Sequence, residues 1–173
     1  MDTIDFLYQA GALKDVERSG WKTVGISPES VSEHSYRTAL VAYVLAKEEK
    51  ANGMEGILLA ALLHDLHEVR ISDLHQVAKK YAKIDEERVR EDSLRPFPEL
   101  CRLFKDRKIM EIVHDADKLE LILQAKEYQD LGNPYVKDWI KNASASLKTK
   151  SAKRLCAKAL KRNAFGWLFE ARK

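Results

Sequence analysis

The chain has 173 residues, 45% of them hydrophobic and 33% charged, with a formal net charge of +3. That length suits about one domain with a sizeable core, and the composition excludes a disordered or collagen-like chain. No apolar run approaches the roughly 20 residues needed to cross a bilayer. The acidic start, Met1-Asp2-Thr3-Ile4-Asp5, has no hydrophobic export-signal core, and Cys101 and Cys156 have no CxxC spacing. A reduced, cytoplasmic setting is the expectation.

Charge is unevenly spread. Residues 141–173 contain ten basic residues (Lys141, Lys148, Lys150, Lys153, Arg154, Lys158, Lys161, Arg162, Arg172 and Lys173) and one acid, Glu170. The remainder has 20 basic and 26 acidic residues. Such a tail can meet an anionic partner. Its aromatics, Phe165, Trp167 and Phe169, are clustered at the end, however, and no RRM, KH or zinc-finger signature accompanies them. A solvated helix face docked on an acidic body is the stronger reading, and a nucleic-acid-binding module the weaker.

In chain order, residues 2–18 read as a first helix and Trp21–Glu29, with Gly25 and Pro28, as a loop. Ser30-Val31-Ser32-Glu33 has the capping-box pattern, so a helix starts there and runs to about Lys50. Asn52-Gly53 breaks it. A third helix covers 54–68, and its Ile57–Leu63 run is apolar on every side, which predicts burial all round. Ile71–Leu74 reads as a turn, 75–95 as mostly helical and polar up to Pro96-Phe97-Pro98, and 99–105 as another helix. The clearest periodicity spans 107–131, with Ile109, Ile112, Val113, Ala116, Leu119 and Leu123 at helical spacing. Gly132-Asn133-Pro134 ends it, and one or two helices follow. No period-two alternation is sustained, so the class is all-α, as one domain.

Charged residues on apolar helix faces carry the chemistry. His34 shares a face with Val41 and Leu45; on its own, such a histidine is more often a hydrogen-bonded core residue than a ligand. His64-Asp65 ends the apolar helix, where an ionised carboxylate needs a cation, and no Lys or Arg lies between Lys50 and Arg70. A divalent metal held by both, with His34 and one further ligand, meets that need. In His114-Asp115-Ala116-Asp117-Lys118-Leu119-Glu120, Asp117 borders the buried stripe, either as that ligand or as a partner of Lys118. His114 and Asp115 point elsewhere or support the ligands from behind.

The order His34, His64-Asp65, Asp117 resembles the HD-domain superfamily of metal-dependent phosphohydrolases. The strings ESVSEHSYRTAL, ALLHDLHEVRISDL and HDADKLELILQAKEYQDLG, with LKDVERSGW, are similar to the YfbR-like 5′-deoxynucleotidases (the HD-domain-containing protein 2 group) from about Ala12 to Pro134. The resemblance implies a helical bundle with its metal core at about 30–131 and the basic segment 141–173 appended. It implies that His34, His64, Asp65 and Asp117 hold a divalent metal and that Glu68, four residues after His64 and read as sharing its helix face, is the catalytic acid or base. It implies that Arg18 and Trp21 bind the phosphate end of the substrate. Asp73, with Leu74, His75 and Gln76, matches the nucleoside end, with Asp73 on the sugar.

Two histidines and two carboxylates leave an octahedral shell open and suit Mn²⁺, Co²⁺, Fe²⁺, Ni²⁺ or Mg²⁺ better than structural zinc. The expected activity is removal of the 5′-phosphate from nucleoside 5′-monophosphates, deoxy forms preferred, by a homodimer. The alternative is an HD phosphohydrolase acting on cyclic or polyphosphorylated nucleotides.

Overall fold

A computed structural model describes residues 1–172, so Lys173 of the basic tail lies outside the described residues. Asp2 caps helix α1 (Thr3–Ala12) in a reciprocal box with Asp5. The helix ends earlier than the predicted residue 18: a 3-10 turn, Leu13–Asp15, follows, and the chain then becomes extended. The cause is backbone pairing. Val31 N–H donates to the Val16 carbonyl (2.7 Å) and Arg18 N–H to the Glu29 carbonyl (3.0 Å), which makes an isolated bridge between Glu17 and Ser30. A short helix α2 (Ser19–Lys22) occupies the start of the predicted loop.

Ser30 then starts α3 (Val31–Glu48) as expected. Its side chain accepts from Glu33 N–H, while Glu33 accepts from Ser30 N–H at 2.7 Å. Gly53, at φ 77°, starts α4 (Met54–Leu63). This helix is not buried all round. Ile57, Ala60 and Ala61 face inward, but Leu62 is 42% exposed. α3, the long helix Arg107–Asp130 and the 3-10 segment before it pack on α4 but leave a strip uncovered that holds Glu55 and Leu62. Gly56 lets α4 approach closely, since a Cβ there would lie 3.1 Å from Leu103 and 3.2 Å from Ile109.

The predicted helix 54–68 also breaks at its C-terminal end, where turns at 64–67 separate α4 from the short helix α5 (Glu68–Ile71). Glu68 thus opens a new helix instead of following His64 on the same one. The stretch 75–95 is likewise split, into α6 (Gln76–Lys79) and α7 (Glu86–Ser93), because Asp85 caps a fresh start. A 3-10 segment (Pro98–Lys105) leads into α8 (Arg107–Asp130), the long helix expected from periodicity. After a 3-10 turn (Pro134–Val136), the chain ends in α9 (Lys137–Ser146), α10 (Lys150–Leu160) and α11 (Gly166–Glu170), more than the one or two helices expected. Among the described residues there is no strand.

Helices α3, α4, α8 and α9 pack around one core, with Leu45, Ile57, Ile122 and Val136 almost fully enclosed. The basic segment packs against the bundle through α10. α10 buries Ala152 and Cys156, Arg154 pairs with Glu48, and Ser151 N–H donates to Glu49 (2.9 Å). Its junction with α9 is tied down by Asp115, fully buried on α8, which accepts from Lys148 N–H, Thr149 N–H and the Thr149 hydroxyl.

Burial works to raise the Asp115 pKa, but the donors from Thr149 and Lys148 outweigh it and hold the carboxyl below its usual range. The anchor is therefore at full strength above a pH of about 4 and weakens as pH falls through the lowered folded value. Asp115→Ala should cost on the order of 3 kcal/mol in chemical denaturation at neutral pH, because it orphans several buried donors at once. A loss below ~0.5 kcal/mol, the range of ordinary surface changes, would contradict this account.

Candidate functional site

Three elements bring the expected metal ligands together. His34 lies one turn into α3, His64 and Asp65 sit where α4 unwinds, and Asp117 projects from the middle of α8. His34 Nε2 lies 3.3 Å from His64 Nε2, 3.3 Å from an Asp117 oxygen and 3.8 Å from an Asp65 oxygen, and His64 Nε2 is 3.1 Å from Asp65. Adjacent ligands at bond lengths of about 2.1 Å are separated by ~3 Å in an octahedral shell. The ligand atoms of His34, His64 and Asp65 form one compact group with spacing that fits a single small cation, and Asp117 adjoins it through His34.

The outer nitrogens support the same reading. His64 Nδ1–H donates to the Ala61 carbonyl at 2.7 Å, and the Nδ1 of His34 is held by the buried carboxylate of Glu120. Both rings therefore keep Nε2 for the centre. Burial and Arg18 oppose a cationic His34, but Asp117 and Glu120 outweigh them and raise it to about 9. For Asp65 and Asp117, burial pushes upward, yet the histidines, with Arg18 at Asp65 and Lys118 at Asp117, hold both carboxyls well below their usual range. The centre calls for positive charge, which a proton or a metal ion can supply.

The cation that Asp65 lacks locally is supplied in part by the fold. A cation does reach Asp65, from far away in the chain: Arg18 Nη1 is 3.3 Å from Asp65 and 3.7 Å from Asp73. The alternatives for Asp117 also merge, since its second oxygen takes Lys118 at 2.8 Å while the first faces His34.

Above the centre opens a cavity of about 770 Å³. Arg18, Trp21, Asp65, Glu68, Asp73, Leu74, His75, Gln76 and Asp117 all line it. Trp21 is mostly interior, 3% exposed, with its ring edge-on to Tyr128 and beside Trp139. Its link to Arg18 is through the backbone, Trp21 N–H donating to the Arg18 carbonyl at 3.3 Å. Ser72 takes a left-handed φ of 63°, an uncommon conformation for a residue with a Cβ, and this turns Asp73 back toward the start of α2. There Asp73 accepts from Ser19 N–H (3.1 Å), and His75 N–H donates to the Ser19 hydroxyl.

Glu68 is 4% exposed, and its Oε2 has no hydrogen-bond partner within the protein. Burial, then the neighbouring Asp65 and Asp73, push its carboxyl up to about 9. The protonated carboxyl is thereby favoured, and it lines the same cavity as Asp65 and Asp117.

Sequence reasoning missed two groups. The first is Glu120 with Arg37: Glu120 lies one residue after Leu119 and four after Ala116, and an acid on that apolar stripe could have been matched to His34. The second is the wall contributed by α9, Asp138, Trp139, Asn142, Ala143 and Ser146, with Lys79 and Lys118 nearby. The α9 residues fall at helical spacing, but no motif marked them.

A family model described as an HD domain matches residues 10–159. Human 5′-deoxynucleotidase HDDC2 is 32% identical over 143 residues, 74% of this chain and 69% of that one. The solved structure of a conserved hypothetical protein from Pyrococcus furiosus is 30% identical, with a TM-score of 0.76 over 92% of this chain and 100% of that one. The cyanophage S-2L HD phosphohydrolase DatZ, solved with dA and one catalytic Zn²⁺, shares the fold at 16% identity and a TM-score of 0.63, over 91% of this chain and 95% of that one. The chain belongs to the HD-domain family.

Asp117→Ala should lower bound Mn²⁺ or Co²⁺, measured by metal analysis after dialysis, while helical content stays unchanged. Full occupancy in that variant would remove Asp117 from the centre.

Proposed function

We propose that this protein is a metal-dependent 5′-nucleotidase that removes the phosphate from nucleoside 5′-monophosphates, deoxy forms preferred. The observation that carries the reading is the convergence of Nε2 of His34 and His64 with Asp65 and Asp117 beneath a cavity that also holds Arg18 and Glu68. The human relative's name, a 5′-deoxynucleotidase, supports the same substrate class.

His34, His64, Asp65 and Asp117 would hold a divalent ion such as Mn²⁺, Co²⁺, Fe²⁺, Ni²⁺ or Mg²⁺. Such an ion supplies Lewis acidity toward a phosphate oxygen and makes water a stronger nucleophile near neutral pH. Arg18, fixed by Asp65 and Asp73, presents its fork to the remaining phosphate oxygens. Its backbone is held in turn by Trp21 and Glu29. Glu68, protonated in its buried position, hands a proton to the departing 5′-oxygen. Asp73 accepts the sugar 3′-hydroxyl, with Leu74, His75 and Gln76 beside it on the nucleoside. A sugar held in this way brings its 2′-carbon to the wall, where an added hydroxyl is disfavoured by about 100-fold or more.

Among the described residues, no helix is long and apolar enough to cross a membrane. Cys101 and Cys156 are both free thiols, which accords with a reducing, cytoplasmic setting. The homodimer is assigned to the outer face of α3, where Tyr36, Leu40, Tyr43 and Val44 are exposed along one stripe and α4 adds Leu62. Apolar exposure of this kind is a common mark of association. Trp167 and Phe169, at the end of the basic tail, are also exposed.

Phosphate release from paired ribo and deoxyribo monophosphates, with cyclic nucleotides and triphosphates alongside, tests the activity. Deoxymonophosphates should turn over fastest. Glu68→Ala should keep its metal and lose at least about 100-fold in kcat, and Asp73→Ala should erode the deoxy preference. Faster turnover of cyclic nucleotides or triphosphates would overturn the monophosphate assignment. Equal kcat/KM for a ribo and deoxy pair would remove only the sugar claim. Light scattering should show a dimer, and Leu40→Glu should shift it to monomer; a monomeric wild-type chain would end the dimer assignment.

A further inference from the structure

Behind the metal centre, on the side away from the cavity, lies a set of charges that the proposed reaction does not use. Glu120 is completely buried on α8. One of its oxygens, Oε2, holds Nδ1 of His34. The other, Oε1, receives two donors from Arg37, Nε at 2.9 Å and Nη2 at 2.7 Å. The guanidinium is fixed in turn by Glu127, at 2.7 Å through Nη1, and by the amide oxygen of Gln124. Arg37 follows His34 by three residues on α3, while Glu120, Gln124 and Glu127 follow one another at turn spacing on α8. One face of each helix therefore builds the whole chain of contacts.

Its physical effect falls on the His34 ring. With two of its donors on a single oxygen, Arg37 restrains the Glu120 carboxylate in one orientation. That carboxylate fixes the rotation of the imidazole and keeps a proton on Nδ1, so Nε2 is the nitrogen that faces Asp65, Asp117 and His64. A carboxylate behind a metal-facing histidine also makes the ring a stronger donor. Glu29, His34 and Glu120 form a second group close enough to hold a cation, and the Glu29 Oε1 is buried without a partner. Arg37, 2.7 Å from Glu120 and 4.0 Å from Glu29, already supplies the positive charge there.

We infer that Arg37 and Glu120 are positioning residues that set the affinity of the centre for its metal through the His34 ring. This rests on the metal-centre reading above but not on any choice of substrate, so it is tested without nucleotide.

The measurement is equilibrium titration of the full chain with Co²⁺ and with Mn²⁺, with folding followed by circular dichroism. The wild-type chain binds one equivalent. Glu120→Gln keeps the shape, removes the charge and weakens binding by about 10- to 100-fold. Arg37→Lys, with charge but no fork, gives a smaller loss, and Arg37→Met a loss similar to that of Glu120→Gln. Lys126→Met, which disturbs a buried ion pair elsewhere on α8, lowers the melting temperature but leaves metal affinity within about twofold.

Wild-type metal affinity in a folded Glu120→Gln or Arg37→Met chain would overturn the inference. If both of those fail to fold, Arg37→Lys decides: unchanged affinity overturns the inference, and partial loss supports it. A second equivalent of metal, lost in Glu120→Gln, would make Glu120 a ligand and also overturn it. A wild-type chain that binds no metal would remove the centre itself, a failure distinct from loss of the nucleotidase reading alone.

Discussion

Buried negative charge that has to be neutralised is the constraint on which the rest of this structure depends. Glu68 and Glu120 are enclosed, and Asp65 and Asp117 mostly covered, within one region of the bundle. Carboxylates in that position are stable only when donors and cations reach them. The chain answers with Arg37 from α3, Arg18 from the extended stretch before α2, Lys118 from α8 and two imidazoles. α3 and α8 must then cross where they do, and the 16–18 segment must be clipped to 29–31, or those partners would not meet. Apolar packing of Leu45, Ile57 and Ile122 supplies most of the stabilising burial, while the charge pattern fixes how the helices are aligned.

Much of this was legible in the chain itself, for local reasons. Ser30 and Glu33 announce a helix start because both halves of their reciprocal bond lie within four residues. The long α8 announces itself by an apolar stripe that needs no partner to be seen. His64-Asp65 stood out because charge at the end of an oily run is costly. What stayed hidden depends on distant residues. The early end of α1 follows from Val16 pairing with Val31. The break after Leu63 shows only once α5 forms a separate turn. Arg18 as the cation for Asp65 is a contact across 47 positions. The α9 wall carries side chains with no distinctive chemistry until the cavity brings them together.

The open side of α4 holds a related lesson. A run of leucines and alanines states that apolar contact exists, not where it is found. Ile57, Ala60 and Ala61 satisfy it within the chain, whereas Leu62 remains at the surface beside a helix whose own outer stripe is equally oily. Hydrophobicity alone could not distinguish core from surface; only the count of neighbouring elements does.

The two sides of the cavity are built differently. The metal-facing side is knit from α3 and α8, long helices locked by buried ion pairs, where a change of residue disturbs several others. The opposite side is assembled from the four-residue helices α2 and α6, the bend at Ser72 and one stripe of α9. Residues there, such as Asn142 and Gln76, make few internal commitments. Substrate preference can thus drift by exchange of wall residues while the catalytic floor stays intact, and this division would let one scaffold serve a range of phosphorylated compounds over evolutionary time.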